Sequence, residues 1–268
     1  MTTPTVEETA MSRAEHVRTR HLRGVAAVDR RLRRAGVVVG VWFWAVYAVY
    51  AVAITVGNAA TGNDLEISAF DATIGSSRWP VIWLGVAASV AILALHVAAG
   101  GSRRSLFEGT LRGSLVVGAG FGVVTTLALL GERELSTALG MTWRRLGALP
   151  FDSPVAVLGT AVAESLVITT YILVGACVAA GYLRTRAWGT LLMIPLLLPA
   201  ALVDVATRTG VLGALANVEL RPDIDHAEVP PSEGLMTTLL GVGGAALAVL
   251  LAAVVLHALL RNAPVRPT

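Results

Sequence analysis

Lysine is absent from this chain of 268 residues. A phosphate-binding P-loop reaches the β and γ phosphates of a nucleotide with a lysine, so the chain cannot be its own P-loop ATPase. Schiff-base and serine-lysine catalysis need the same amine and fall with it. Cysteine is almost absent: Cys177 stands alone, which excludes an internal disulfide and a cysteine metal cluster. No H-E-x-x-H zinc pattern occurs, and His96 and His257 stand singly near the ends of apolar stretches. His226, two residues before Glu228, falls in a proline-broken acidic loop that makes a poor metal site. No metal, cofactor or catalytic residue is therefore expected, and the chain is not expected to be an enzyme. Charge is scarce too, at 15% of residues, where ordinary soluble domains carry roughly 25%.

Apolar residues fill the space that charge leaves, at 55% of the chain and a mean hydropathy of +0.70. They gather into six long segments, at about 36 to 57, 79 to 100, 106 to 130, 154 to 182, 189 to 206 and 236 to 260. Each is near or above the roughly 20 residues that cross a bilayer as a helix. In lipid a helix satisfies its own backbone, so the expected fold is all-α, a polytopic membrane protein of six transmembrane helices.

All 21 basic residues are arginines. Fifteen lie before the first segment, around the second and fourth connections, and at the tail; the other six (Arg78, Arg133, Arg144, Arg145, Arg208, Arg221) are diluted by acids such as Asp64, Glu66, Asp71, Asp223 and Asp225. The positive-inside rule then puts both termini in the cytoplasm, with the chain multi-pass in the cytoplasmic (inner) membrane. The net charge of +3 and pI near 9.6 reflect arginines facing anionic lipid and do not call for nucleic acid. Trp42, Trp44, Trp79, Trp83 and Trp188 fall near segment ends and are expected as interfacial anchors. The polar, arginine-rich start is no cleavable signal, so the first segment is expected to stay.

Four regions follow. Residues 1–12 form a tail expected to lack fixed structure. Residues 13–35 carry Leu22, Val25, Val28 and Leu32 on one helical stripe between arginines and are expected to lie along the inner membrane surface, as a lipid anchor or as a lever packed beside the first span. Residues 36–262 make the six-helix domain, and 263–268 a second tail. Short connections make spans 2 and 3, and spans 4 and 5, antiparallel neighbours. The longest link, about Thr207 to Gly234, is expected to hold a short helix over Arg208–Leu220 and then an extended loop. Small-xxx-small pairs at Gly118 and Gly122, Gly159 and Ala163, and Gly244 and Ala248 suit close helix approach, within the chain or at a subunit seam.

Two acids sit on the spans. Glu164, about ten residues into the fourth, costs a few kcal/mol in mid-bilayer unless protonated, paired or wetted. It is read either as a polar point on a translocation path or seam, or as a residue packed against Thr125, Thr126 or Thr160. Asp204 follows Pro195 and Pro199, which should bend the fifth span; it is read as part of an outer gate or as an interfacial acid reaching water.

The connection Gly100-Gly101-Ser102-Arg103-Arg104-Ser105-Leu106-Phe107-Glu108-Gly109-Thr110 combines a tight glycine reversal, an arginine pair and the start of a new apolar surface. It resembles the Gly-x-(Ser/Thr)-Arg-Arg-x-(Phe/Tyr) turn, followed by Gly-Thr, of actinobacterial type-2 ABC exporter permeases. Gly181-Tyr182-Leu183-Arg184-Thr185-Arg186-Ala187-Trp188-Gly189 is similar to the Tyr-(Arg/Lys)-Arg-Trp-Gly turn of the same proteins, with Thr185 standing between the arginines. The resemblance covers about Arg13 to Arg261. It implies a permease subunit dimerised with itself or a related chain, an ATP-binding cassette ATPase subunit as partner, and coupling through Gly101, Arg103, Arg104, Phe107, Glu108 and Gly109. A non-transporting membrane anchor or regulator is the alternative; an intramembrane enzyme acting on lipid would need polar groups converging at one depth.

Overall fold

The computed structural model describes residues 6–61, 68, 70, 74–141, 143–145, 147, 149–185, 195–209 and 234–261. Most of these residues are helical, with no strand among them. The elements are α1 (Val6–Thr61), α2 (Arg78–Ala98), α3 (Arg103–Ala138), α4 (Pro154–Thr185), α5 (Leu198–Asp204) and α6 (Gly234–Arg261). A 3-10 turn, Ile74–Ser77, leads into α2, and a π turn, Val205–Thr209, closes α5. Helices α1, α2, α3, α4 and α6 are long and apolar enough to cross a membrane by length and composition. Residues 189–194, the first third of the expected fifth span, and the outer link from residue 210 to 233 lie outside the described residues.

Local sequence explains the helix ends. Ala99 closes α2, Gly100 takes φ 75, and the N–H groups of Gly100 and Gly101 donate to the carbonyls of Val97 (2.9 Å) and His96 (2.8 Å), a Schellman closure. The same device ends α3: Gly140 at φ 71 donates to Thr137 (3.1 Å) and Met141 to Ser136 (2.9 Å). Ser102 caps α3 by accepting from the Ser105 N–H at 3.1 Å. Ser153 caps α4, with Pro154 in the first helical position, where its missing N–H costs nothing. Pro199 sits in the first turn of α5; residues 195–196 before it are also helical and are set off from α5 by a turn at Leu197, an interruption of the kind expected from prolines in this span.

Helix α4 is the centre of the bundle, packed by α3, α6 and α2, while α1 lies on the far side of α3. Glycine permits the closest approaches. A Cβ at Gly85 would overlap the Ile172 carbonyl and one at Gly175 the Ile82 carbonyl, so α2 and α4 touch backbone to backbone. Gly118 and Gly122 admit Thr169, Ser165 and the Ala161 carbonyl of α4; Gly159 faces Thr238 of α6, and Gly244 faces Ala206. The three small-residue pairs thus serve packing within the chain. Interhelical bonds from Thr169 Oγ1 to the Ser114 carbonyl (3.3 Å) and from Cys177 Sγ to the Ala252 carbonyl (3.4 Å) add to it.

Helix α1 departs from expectation in three ways. It begins at Val6 inside the expected tail, because residues 6–23 contain no glycine or proline and each added residue of a formed helix gains a hydrogen bond. It runs through the boundary expected at residue 35 as one helix. Its stripe does not face lipid: Val25, Val28 and Leu32 are buried against α3, where Gly109 and Gly113 leave room for Val28 and Leu32, whereas Leu22 stays exposed. Trp42, Trp79 and Trp83 remain outward, consistent with anchors. Trp44 instead stacks on Phe70 at 5.7 Å, in an aromatic cluster with Phe43, Tyr47 and Phe121.

Candidate functional site

The connection between α2 and α3 is where α1, α2, α3 and α6 meet. Inside it, the His96 ring lies against Gly101, its Nε2 2.9 Å from Ser105 Oγ and 3.2 Å from the Ser102 carbonyl. His96 is therefore built into the turn, not isolated. Arg103 donates to the Arg261 carbonyl at 2.9 Å, satisfying an acceptor left open at the C-terminus of α6. The Phe107 and His257 rings meet edge to face at 5.0 Å, so His257 also has a neighbour.

Glu108 joins two helices. Its carboxylate accepts from Arg104 Nε (2.9 Å) and lies 3.0 Å from His21 Nε2 of α1. Gly109 is buried beneath α1, its α-carbon facing Val28 and the Val25 carbonyl, which removes it from any partner-facing surface. The Arg104 side chain is 80% exposed. Of the six expected coupling residues, the structure thus offers Arg104 to solvent together with the exposed rim Ala99, Gly100 and Ser102, and turns the others toward the chain itself. In the second turn, Tyr182 is exposed at the end of α4, while Arg186 and Trp188 lie outside the described residues.

The two acids of the spans are not brought together. Glu164 is half-buried on α4, and Thr160, one of its expected neighbours, donates to the Pro150 carbonyl at 3.4 Å. Asp204 bonds two helical turns further along α4, about 10 Å from Glu164 at 1.5 Å per residue. There its carboxylate pairs with the Arg78 guanidinium and accepts from Tyr171 Oη at 2.7 Å, with Arg78 also 5.4 Å from the Tyr171 ring centre. Asp204 is therefore the middle of a polar cluster joining α2, α4 and α5, a pairing that the reading of it as an outer gate or interfacial acid did not include. Arg78 is 7% exposed.

A second polar centre was not expected at all. Glu132, 7% exposed near the end of α3, accepts from Ser68 Oγ, from the Phe70 N–H (3.1 Å) and from Trp143 Nε1 (3.2 Å). Around it Tyr47 Oη donates to the Phe70 carbonyl (2.9 Å), Ser68 N–H to the Arg144 carbonyl (2.8 Å) and Arg133 to the Phe151 carbonyl (3.2 Å). One carboxylate thus holds both neighbouring connections against α3. Its sequence context, an acid between apolar turns of a helix, looks like any span end and carries no signal for this role. Among the described residues, no three His, Cys, Asp or Glu side chains cluster as metal ligands.

The described chain is an all-helical protein with five helices able to cross a membrane. No family model, curated protein or solved structure matches it.

Proposed function

We propose that this chain is the transmembrane permease subunit of an ABC-type export system, working as a homodimer or a heterodimer with a related permease. ATP would be hydrolysed on a separate ATP-binding cassette subunit. In this reading the chain spans the cytoplasmic membrane six times, residues 189–206 supplying the fifth crossing, with both termini inside and the arginine-rich part of α1 against inner-leaflet lipid.

The observation that carries the reading is the α2–α3 connection. Its sequence resembles the exporter turn, and a push on it reaches three other helices: α6 through Arg103 and Phe107, α1 through Glu108, and α2 through His96. Coupling needs a pathway whose energy differs between nucleotide states, and a junction of this kind lets one contact bias several helices together. The charge-free part of α3, about 19 residues between Arg112 and Glu132, is about 28 Å long, close to the roughly 30 Å hydrocarbon core. Arg104 then stands about 12 Å beyond Arg112, within reach of a soluble subunit.

One observation favours the anchor or regulator reading instead. Arg103, Phe107 and Glu108 already have partners in their own chain, which a protein that only packs and anchors would also show.

Purification of the tagged protein from its own host in mild detergent, with mass spectrometry of what travels with it, separates the two. A stoichiometric P-loop ATPase supports the permease; the chain alone, repeatedly and after cross-linking, supports the anchor. Within the permease reading, Glu164→Gln is expected to change transport more than assembly. Equal loss of folded protein would assign Glu164 to packing.

A further inference from the structure

We propose that the cleft between α1 and α3 binds one anionic phospholipid, its headgroup on the arginines of α1 and an acyl chain along the groove beyond them. The inference needs no ATPase partner and stands apart from the exporter reading.

Glycine shapes the groove. Gly36 and Gly40 bring α1 onto Val117 and Phe121 of α3, while a Cβ at Gly120 would meet nothing within 4 Å. The result is an open apolar groove of about 410 Å³, with Arg33 at one end and Trp44 at the other. Eleven residues of helix separate these ends, about 16 Å, or half of the roughly 30 Å hydrocarbon core. That is the depth of one leaflet. The charge-free stretches begin directly after Arg34 on α1 and after Arg112 on α3, so the Arg33 end of the groove lies at the membrane boundary marked by both helices.

The charge at that end selects the occupant. Arg33 is neutralised by Asp29, with contacts of 2.6 and 2.7 Å. Arg30, Arg31 and Arg34 are exposed, bond no carboxylate among the described residues, and line with Ala27 a second cleft of about 410 Å³. Arg30 stands on the same helical stripe as Val37, Val41 and Trp44, with Arg34 beside it, so the basic cleft adjoins the Arg33 end of the apolar groove. A phosphate beside three guanidiniums and a hydrocarbon chain beside valines meet both needs at once. A second copy packed symmetrically on this face would set one arginine cluster against another.

The test uses the full chain in nanodiscs containing a trace of phosphatidylglycerol with a photoreactive acyl chain. Labelled peptides are mapped, and unlabelled phosphatidylglycerol and phosphatidylcholine compete. We expect labelling concentrated in residues 36–44 and 116–124, with the anionic lipid about fivefold the better competitor, the order expected of a few basic groups near a headgroup. Gly120→Leu fills the groove from a position with open space and should cut that labelling severalfold at unchanged thermal stability. Arg30→Gln with Arg34→Gln should keep the labelling and erase the headgroup preference. Equal competition by the two lipids in the unmodified protein, labelling spread evenly over the exposed faces, or cross-links joining two copies through this face would overturn the proposal. The competition needs no variant, so a misfolded mutant cannot rescue it.

Discussion

The two ends of α3 handle charge in opposite ways. At the first turn, Arg104 is 80% exposed, and Glu108, His21 and Arg103 form contacts of about 3 Å that water reaches. At the last turns, Glu132 is buried among an aromatic cluster and accepts from three neutral donors contributed by two connections. Exposed ion pairs in high dielectric are individually weak and exchange readily for others. A buried carboxylate with all its donors placed cannot give one up without leaving a polar group dry. The same helix therefore has an end suited to a changing partner and an end fixed to its own chain.

The largest expected effect is at the fixed end. Glu132→Leu removes the acceptor shared by the Ser68 hydroxyl, the Phe70 N–H and the Trp143 indole N–H, and should cost on the order of 3 kcal/mol, read as a lowered Tm in detergent. Glu132→Gln keeps an acceptor and should recover part of the loss; a Leu variant as stable as the parent would dissolve the contrast between the ends.

Next comes the Arg78–Asp204–Tyr171 cluster. Removing one member of a buried ion pair costs about 3–5 kcal/mol, and because Asp204 is 34% exposed we discount this for Arg78→Leu to about 2 kcal/mol. Adding Asp204→Leu should restore much of the stability. A double-mutant cycle with no coupling would remove the pair from the account.

The smallest stability effect is expected at the first turn. Arg103→Glu with Arg104→Glu should shift stability by no more than about 1 kcal/mol, yet abolish partner-dependent activity. Retained activity would take the turn out of coupling, and wholesale loss of folded protein would make this end as fixed as the other.

What could be read in advance follows the range of the interactions. Helix class and apolar length are properties of contiguous residues, and hydropathy alone located α2, α3, α4 and α6 to within a few residues, α3 excepted at its end, where the charged run Glu132, Arg133 and Glu134 stops the apolar segment while the helix continues to Ala138. The Gly100-Gly101 reversal and the Ser102 cap are local too. The stripe Val25, Val28 and Leu32 was visible, but periodicity shows that a face is apolar and not whether lipid or another helix covers it. Arg78 and Asp204 are 126 positions apart, and Ser68 and Glu132 are 64 apart. No spacing rule reaches across such distances, so both polar centres had to be found in three dimensions.

The claim that the first turn of α3 faces a soluble ATPase is tested most directly by site-resolved cross-linking in native membranes. Cys177 is buried, and its replacement by alanine provides a cysteine-free background for Arg104→Cys and, as a control beyond the opposite end of α3, for the exposed Asp152→Cys. The account predicts an adduct with a P-loop ATPase from position 104 and none from position 152. An adduct from neither position, or equally from both, would contradict it.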